Sequence, residues 1–191
     1  MMNVVSMVPR QRAAILVAAG DVFARWGFTA ASMQDIARRA RLSEAWVQLH
    51  FGSKRDLFDA WVDQAWASAL ARLEAAVGEA RSPEAKLQTF IHLRQGQAER
   101  MLRDSRITLE ALRDILPLLE QRLAAPRARE VALLESIFEE GRVEGSFAFT
   151  VRGPRTAARA LAVGLQDIEC AMVRFLAASA QPAQSPDPSA R

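Results

Sequence analysis

The chain of 191 residues holds no tyrosine, one cysteine and two histidines. A single thiol, Cys170, excludes an internal disulfide framework and any multi-cysteine zinc or iron–sulfur centre. His50 and His92 stand too far apart in the sequence to read as clustered metal ligands, so no metal or cofactor is expected. Also missing are a GxGxxG turn, a P-loop, an HExxH helix, a GxSxG elbow and the carboxylate–histidine pattern of a di-iron bundle. Nothing in the sequence therefore points to an enzyme. Long apolar runs are absent too. Ala13 to Gly20 imitates a signal-peptide core behind Arg10 and Arg12, but Asp21, Phe23, Arg25 and Trp26 follow without a small-residue cleavage pattern. No stretch approaches the roughly 18 uninterrupted apolar residues of a membrane span. A cytoplasmic protein with no membrane partner is the expectation.

What is present is ordinary globular composition, 50% hydrophobic and 25% charged, at a length that fits one compact domain or two small ones. The net charge of +3 is unevenly placed. From Arg10 to Asp56 eight basic residues stand against four acidic, while the remainder holds 17 basic and 18 acidic. The positive excess is wholly N-terminal, which favours a polyanionic partner for the first segment.

Periodicity is helical throughout, and no segment alternates long enough to read as a strand. Leu16, Ala19, Phe23 and Trp26 form one stripe, and Gly27 stands where a helix would stop. Ser32 with Asp35, Ser43, and Ser53 with Asp56 are helix starts that delimit two helices of only eight or nine residues. Neither would survive alone in water, where about 12 to 15 residues is already marginal, so they must pack on each other and on the first helix. Further helices are expected from Lys54 to about Ala80, from Ser82-Pro83 to about Leu102, after Ser105 with an interruption or kink at Pro117, from Pro126 to Gly141 or Gly145, and from Pro154 to about Ala178. Phe147 and Phe149 belong to an inward-packing loop. The proline-rich tail beyond Ala178 and residues 1–9 are expected to be flexible.

Two short helices joined by a tight turn describe a helix-turn-helix, whose second helix is sized for a DNA major groove. On that helix Val47 and Phe51 share the core face, Ala45, Gln48 and Leu49 point the opposite way, and Trp46 lies on a flank. With Phe23, Gly27, Ile36, Ala37, Ser43, His50, Phe51, Lys54 and Leu57 in register, the stretch from Arg10 to Phe58 resembles the N-terminal DNA-binding domain of the tetracycline-repressor (TetR) family. The resemblance implies an all-α fold: a three-helix helix-turn-helix DNA-binding domain over 10–56 and a helical ligand-binding and dimerisation domain over 57–178. It further implies a homodimeric, ligand-responsive regulator, most simply a repressor, on a palindromic double-stranded DNA operator. Two positions depart from the family pattern. Arg41 stands where glycine is usual and would adopt a left-handed conformation at about 1 kcal/mol. Gln48 replaces a tyrosine and can instead pair bidentately with adenine.

The residues expected at DNA are Ser32, Gln34, Ser43, Glu44, Ala45, Trp46, Gln48, Leu49, His50 and Lys54. Ser32 and Ser43 are helix caps first. Glu44 would repel phosphate unless it accepts from cytosine N4. Trp46 and Leu49 either meet thymine methyls and sugars or cover another part of the protein. By the resemblance Lys54 meets a phosphate. Arg10 and Arg12 are surface arginines or a minor-groove arm. Trp66, Phe90, Leu93, Met101, Leu109, Leu112, Leu116 and Phe138 would surround a pocket for a small hydrophobic or amphipathic effector, their plainer reading being core. Ala157, Leu161, Gly164, Ile168, Met172 and Phe175 form a seam for the dimer, their plainer reading being an ordinary buried helix. An alternative is a helical ligand-sensing or partner-binding protein with a degenerate DNA-reading head.

Overall fold

The computed structural model describes the backbone of residues 4–103, 107–149 and 153–179, with most of their side chains. The side chains of Met101 and Met172, the cap expected at Ser105 and the tail from residue 180 lie outside the described residues. Every element described is an α-helix: α1 (Val4–Ala30), α2 (Met33–Ala40), α3 (Glu44–His50), α4 (Lys54–Glu79), α5 (Pro83–Arg103), α6 (Leu109–Arg122), α7 (Ala124–Glu144) and α8 (Pro154–Ser179). The first helix starts at Val4, inside the segment expected to be flexible, and it breaks at Gly27, whose φ of 78° ends regular winding.

Local chemistry sets the short helices. Ser32 Oγ accepts from the Asp35 N–H (3.1 Å) and donates to Asp35 Oδ2 (2.5 Å). Ser53 and Asp56 repeat the arrangement at 3.1 and 2.7 Å, and Ser43 Oγ accepts from Trp46 N–H at 3.2 Å. Each side chain satisfies a donor that the first turn leaves without an intrahelical acceptor. At the far end of α2, Arg41 takes the left-handed conformation expected of it (φ 60°, ψ 40°), and the N–H groups of Arg41 and Leu42 close on Arg38 O and Ala37 O. That turn swings α3 across α2.

Two apolar cores hold the helices. The first joins Ile15, Ala19, Val22 and Phe23 of α1 to Ile36 and Ala37 of α2, Val47 of α3, Leu57, Phe58 and Val62 of α4, and Ile115 of α6. Phe23, Phe28, Phe58 and Trp61 pack ring on ring at its centre, with centroids 5.2–6.0 Å apart. The second joins Leu70, Leu73 and Val77 of α4 to Phe90 of α5, Leu134, Ile137 and Phe138 of α7, and Ala158 and Leu165 of α8. Phe147 and Phe149 pack edge-on to Phe138 from the loop before α8, each 5.7 Å away between ring centroids. Helix α4 thus contributes its first half to one core and its second half to the other. Helix α6 also inserts Ile115 into the core of the head. Residues 10–30 of α1 are long and apolar enough to cross a bilayer by composition, but Ile15, Leu16, Ala18, Ala19, Val22 and Phe23 are spent on the core.

Candidate nucleic-acid interface

Helix α3 has only seven residues, too few to be stable alone, so its rotation is set by what it buries. Val47 is fully buried, a contribution of about 1.5–3 kcal/mol, and Phe51 closes the helix from the same core. The opposite face is therefore turned outward: Glu44, Ala45 and Gln48 are exposed, Leu49 is 73% exposed and Trp46 is 38% exposed. Gln34 is also exposed at the start of α2. Trp46 lies edge-on to His50 at 5.4 Å between ring centroids. Gln48 Nε2 donates to Glu44 Oε1 at 3.3 Å, which orients the amide and softens the carboxylate that would repel phosphate.

The basic side chains expected at DNA divide. Lys54 Nζ donates to the carbonyls of Phe28 (2.7 Å), Ala31 (2.8 Å) and Thr29 (3.2 Å), and it lies 4.7 Å from the Phe28 ring centroid. An ammonium has three donors, so a phosphate contact by Lys54 would require giving one of these up. Arg12 is similarly tied. It donates from Nη1 to His50 O at 3.1 Å and lies 4.2 Å over the Phe51 ring, fastening α1 to the end of α3. His50 is half-buried and its Nε2 is enclosed without a hydrogen-bond partner. The hydroxyls of Ser32 and Ser43 serve the caps described above.

A joint that the sequence did not reveal connects this head to the body. Asp114 of α6 accepts from Thr29 N–H and Thr29 Oγ1, both at 2.6 Å, beside the carbonyls that hold Lys54. Desolvation pushes the Asp114 carboxyl up, but the Thr29 hydroxyl, the N–H groups of Thr29 and Phe28 and the Lys54 charge outweigh it, and its pKa is lowered. Directly before α6, Thr108 N–H donates to Ala24 O (3.0 Å) and Thr108 Oγ1 to Arg25 O (3.1 Å). The cap of α6 is thus Thr108, with Oγ1 accepting from Ala111 N–H at 3.2 Å. A glycine is required at 27 twice over: φ is positive, and a Cβ there would sit 2.6 Å from Asp114 Oδ2.

In the body, the described residues expected around an effector are distributed over the two cores and α6. Phe90 and Phe138 are buried in the second core with Leu93 packed against it, Trp66 packs against the first core, and on α6 Leu112 is buried while Leu109 and Leu116 are half-buried. Between the two cores lies a charged cluster instead. Arg94 of α5 reaches Glu130 of α7 (Nε to Oε2, 3.3 Å) and Glu169 of α8 (Nη2 to Oε2, 3.0 Å), with its guanidinium 5.8 Å from the Trp66 ring centroid. Burial pushes the carboxyls of Glu130 and Glu169 up against the opposing pull of Arg94, and at Glu130 the neighbouring Glu169 charge adds to the rise.

On α8, Ala157 and Leu161 are half-buried and pack against the second core. Gly164, Ile168 (56% exposed) and Phe175 (70% exposed) are outward, and Ala160 and Ala171 are exposed with them. The exposed apolar stripe is thus the second half of the expected seam, shifted to begin at Ala160.

A helix-turn-helix whose second helix stands out from a core, mounted on a separate helical body, defines a DNA-binding transcriptional regulator. Residues 15–61 match the family described as bacterial regulatory proteins, tetR family. No curated protein matches the chain. Among solved structures the whole fold is similar to the fatty acid degradation regulator FadR from Bacillus halodurans, at TM-score 0.70 and 20% identity over 86% of this chain and 85% of that one. It is also similar to a TetR-family transcriptional regulator from Pectobacterium atrosepticum (TM-score 0.68, 22% identity, 88% and 84% covered) and to FadR from Bacillus subtilis in complex with stearoyl-CoA (TM-score 0.67, 19% identity, 85% and 87% covered).

Proposed function

We propose that the chain is a cytoplasmic repressor that acts as a homodimer on a palindromic operator and releases it when a small hydrophobic or amphipathic effector enters the body. The observation that carries this reading is the outward face of α3, where Ala45, Gln48 and Leu49 are exposed and Trp46 is 38% exposed. Gln48 reads a base edge, Trp46 and Leu49 meet thymine methyls and sugars, and Gln34 with the capped starts at Ser32 and Ser43 lies along the backbone. Arg12 and Lys54 hold α3 and the end of α1 in place. Dimerisation through the exposed stripe of α8, with α7 beside it, sets the two reading helices about 34–36 Å apart, one turn of B-DNA.

Release requires an effector that binds better to a subunit arrangement with another spacing. Two elements can transmit it: α4, shared by both cores, and α6, fastened to α1 through Thr108 and Asp114. That FadR from Bacillus subtilis crystallises with stearoyl-CoA supports an amphipathic effector class. No catalytic role and no resident cofactor are part of this reading. Selection of binding sites from random duplexes tests it: a palindromic consensus supports the repressor, and enrichment of no sequence supports the degenerate-head alternative, which the inward commitment of Lys54 favours.

A further inference from the structure

On the flank of the head, away from the α3 face, a groove of about 780 Å³ runs between α1 and α2, within the roughly 300–1,000 Å³ of small-molecule sites. Its apolar surface comes from Val17 (67% exposed), Trp26 (44% exposed) and Trp61. Four arginines line it, Arg25, Arg38, Arg39 and Arg41, against two aspartates. Both aspartates are already matched: Arg39 bridges to Asp21 across the groove and Arg38 to Asp35. Arg25 and Arg41 have no carboxylate partner among the described residues, and Arg25 instead lies 5.7 Å from the Trp26 ring centroid. The Trp61 indole lies so close to Gly20 that a Cβ there would sit 2.6 Å from its Nε1, and that N–H has no protein acceptor among the described residues.

We infer that this groove binds a small amphipathic anion, an aryl or acyl carboxylate, with the apolar body on Trp26 and Trp61 and the anionic end on Arg25 and Arg41. Two cations without a carboxylate partner among the described residues select the charge, and the exposed Trp26 with the half-buried Trp61 selects an apolar body. A neutral apolar molecule would leave the cations unmatched, and an inorganic anion would leave the indoles wet. This site is separate from an effector site in the body. Because it spans α1 and the helix that precedes the reading helix, its occupant would tie the two together and by linkage alter affinity for DNA.

The test uses full-length protein with 15N-labelled tryptophan and follows the four indole N–H resonances, assigned by single Trp→Phe variants. Naphthalene-2-carboxylate is titrated against naphthalene-2-methanol, its neutral counterpart. The expected result is that the carboxylate shifts the Trp26 and Trp61 resonances, binds at least about tenfold more tightly than the alcohol, and loses at least about tenfold in the double variant Arg25→Gln, Arg41→Asn. Asparagine tolerates the left-handed backbone at 41, and an unchanged thermal midpoint shows that the double variant is folded; Arg25→Lys with native Arg41 retains charge selectivity. Equal binding of acid and alcohol, absence of binding, shifts confined to Trp46 or Trp66, or full binding by the double variant would each overturn the proposal. Stoichiometric displacement of the carboxylate by a short duplex of scrambled sequence would overturn it too, because the groove would then be a DNA surface.

Discussion

Lysine at 54 bonds the carbonyls of Phe28, Thr29 and Ala31 at and just past the end of α1, which makes it a cap on a foreign helix end and not a free cation. Replacing it with alanine is expected to lower stability by about 1.5–3 kcal/mol, the range for charged hydrogen bonds, and to weaken all duplexes alike. The salt slope of DNA binding should stay unchanged; a fall by about one unit would identify Lys54 as a phosphate contact. Glycine at 27 makes a second residue-scale case. Gly27→Ala combines a left-handed backbone with a Cβ against Asp114, and denaturant melts should show a loss of more than about 1 kcal/mol. The serine caps and the left-handed Arg41 were legible in the sequence because each is fixed within four residues. The roles of Lys54 and Arg12 were not, because their partners lie 23 to 38 positions away.

Among elements, α5, α7 and α8 meet at Arg94, where one guanidinium faces the buried Glu130 and the half-buried Glu169. A carboxyl whose folded pKa is raised above its unfolded value destabilises the fold when ionised. That cost disappears as pH falls through the folded pKa. Glu130 and Glu169 therefore contribute more favourably as pH drops from neutral, whereas Asp114, lowered by Thr29 and Lys54, contributes stability above its unfolded pKa that is lost as pH falls through the folded one. Arg94→Met should cost about 3–5 kcal/mol near neutrality, the penalty for orphaning buried charge, and clearly less at about pH 5. Urea melts at both pH values check this, and equal losses would contradict it. This cluster was invisible in the sequence, since its members come from three helices whose pairing no local signal records. Helix existence was legible from 3.6-residue spacing and breakers, whereas the packing of Ala157 and Leu161 of α8 against the second core depends on partners from other helices.

At the scale of the whole molecule, the proposed function makes the outward stripe of α8 and the outward face of α3 two halves of one mechanism, since paired subunits would place two reading helices on one duplex. A Cβ at Gly164 would meet nothing within 4 Å in the isolated subunit. Gly164→Leu should thus leave helix content intact while shifting sedimentation from dimer to monomer; an unchanged dimer would move the interface elsewhere. The fold class and the position of the head were legible because helical periodicity and the landmarks from Phe23 to Leu57 are local. The joint at Thr29, Asp114 and Lys54 was not, being assembled from α1, α4 and α6. The most direct measurement is operator selection from random duplexes at several salt concentrations, repeated with Gln48→Ala. A palindrome with half-sites one helical turn apart, whose base preference changes in the variant while the salt slope holds, is the predicted result; no enriched sequence, or the same preference in both proteins, would contradict α3 as the reading helix.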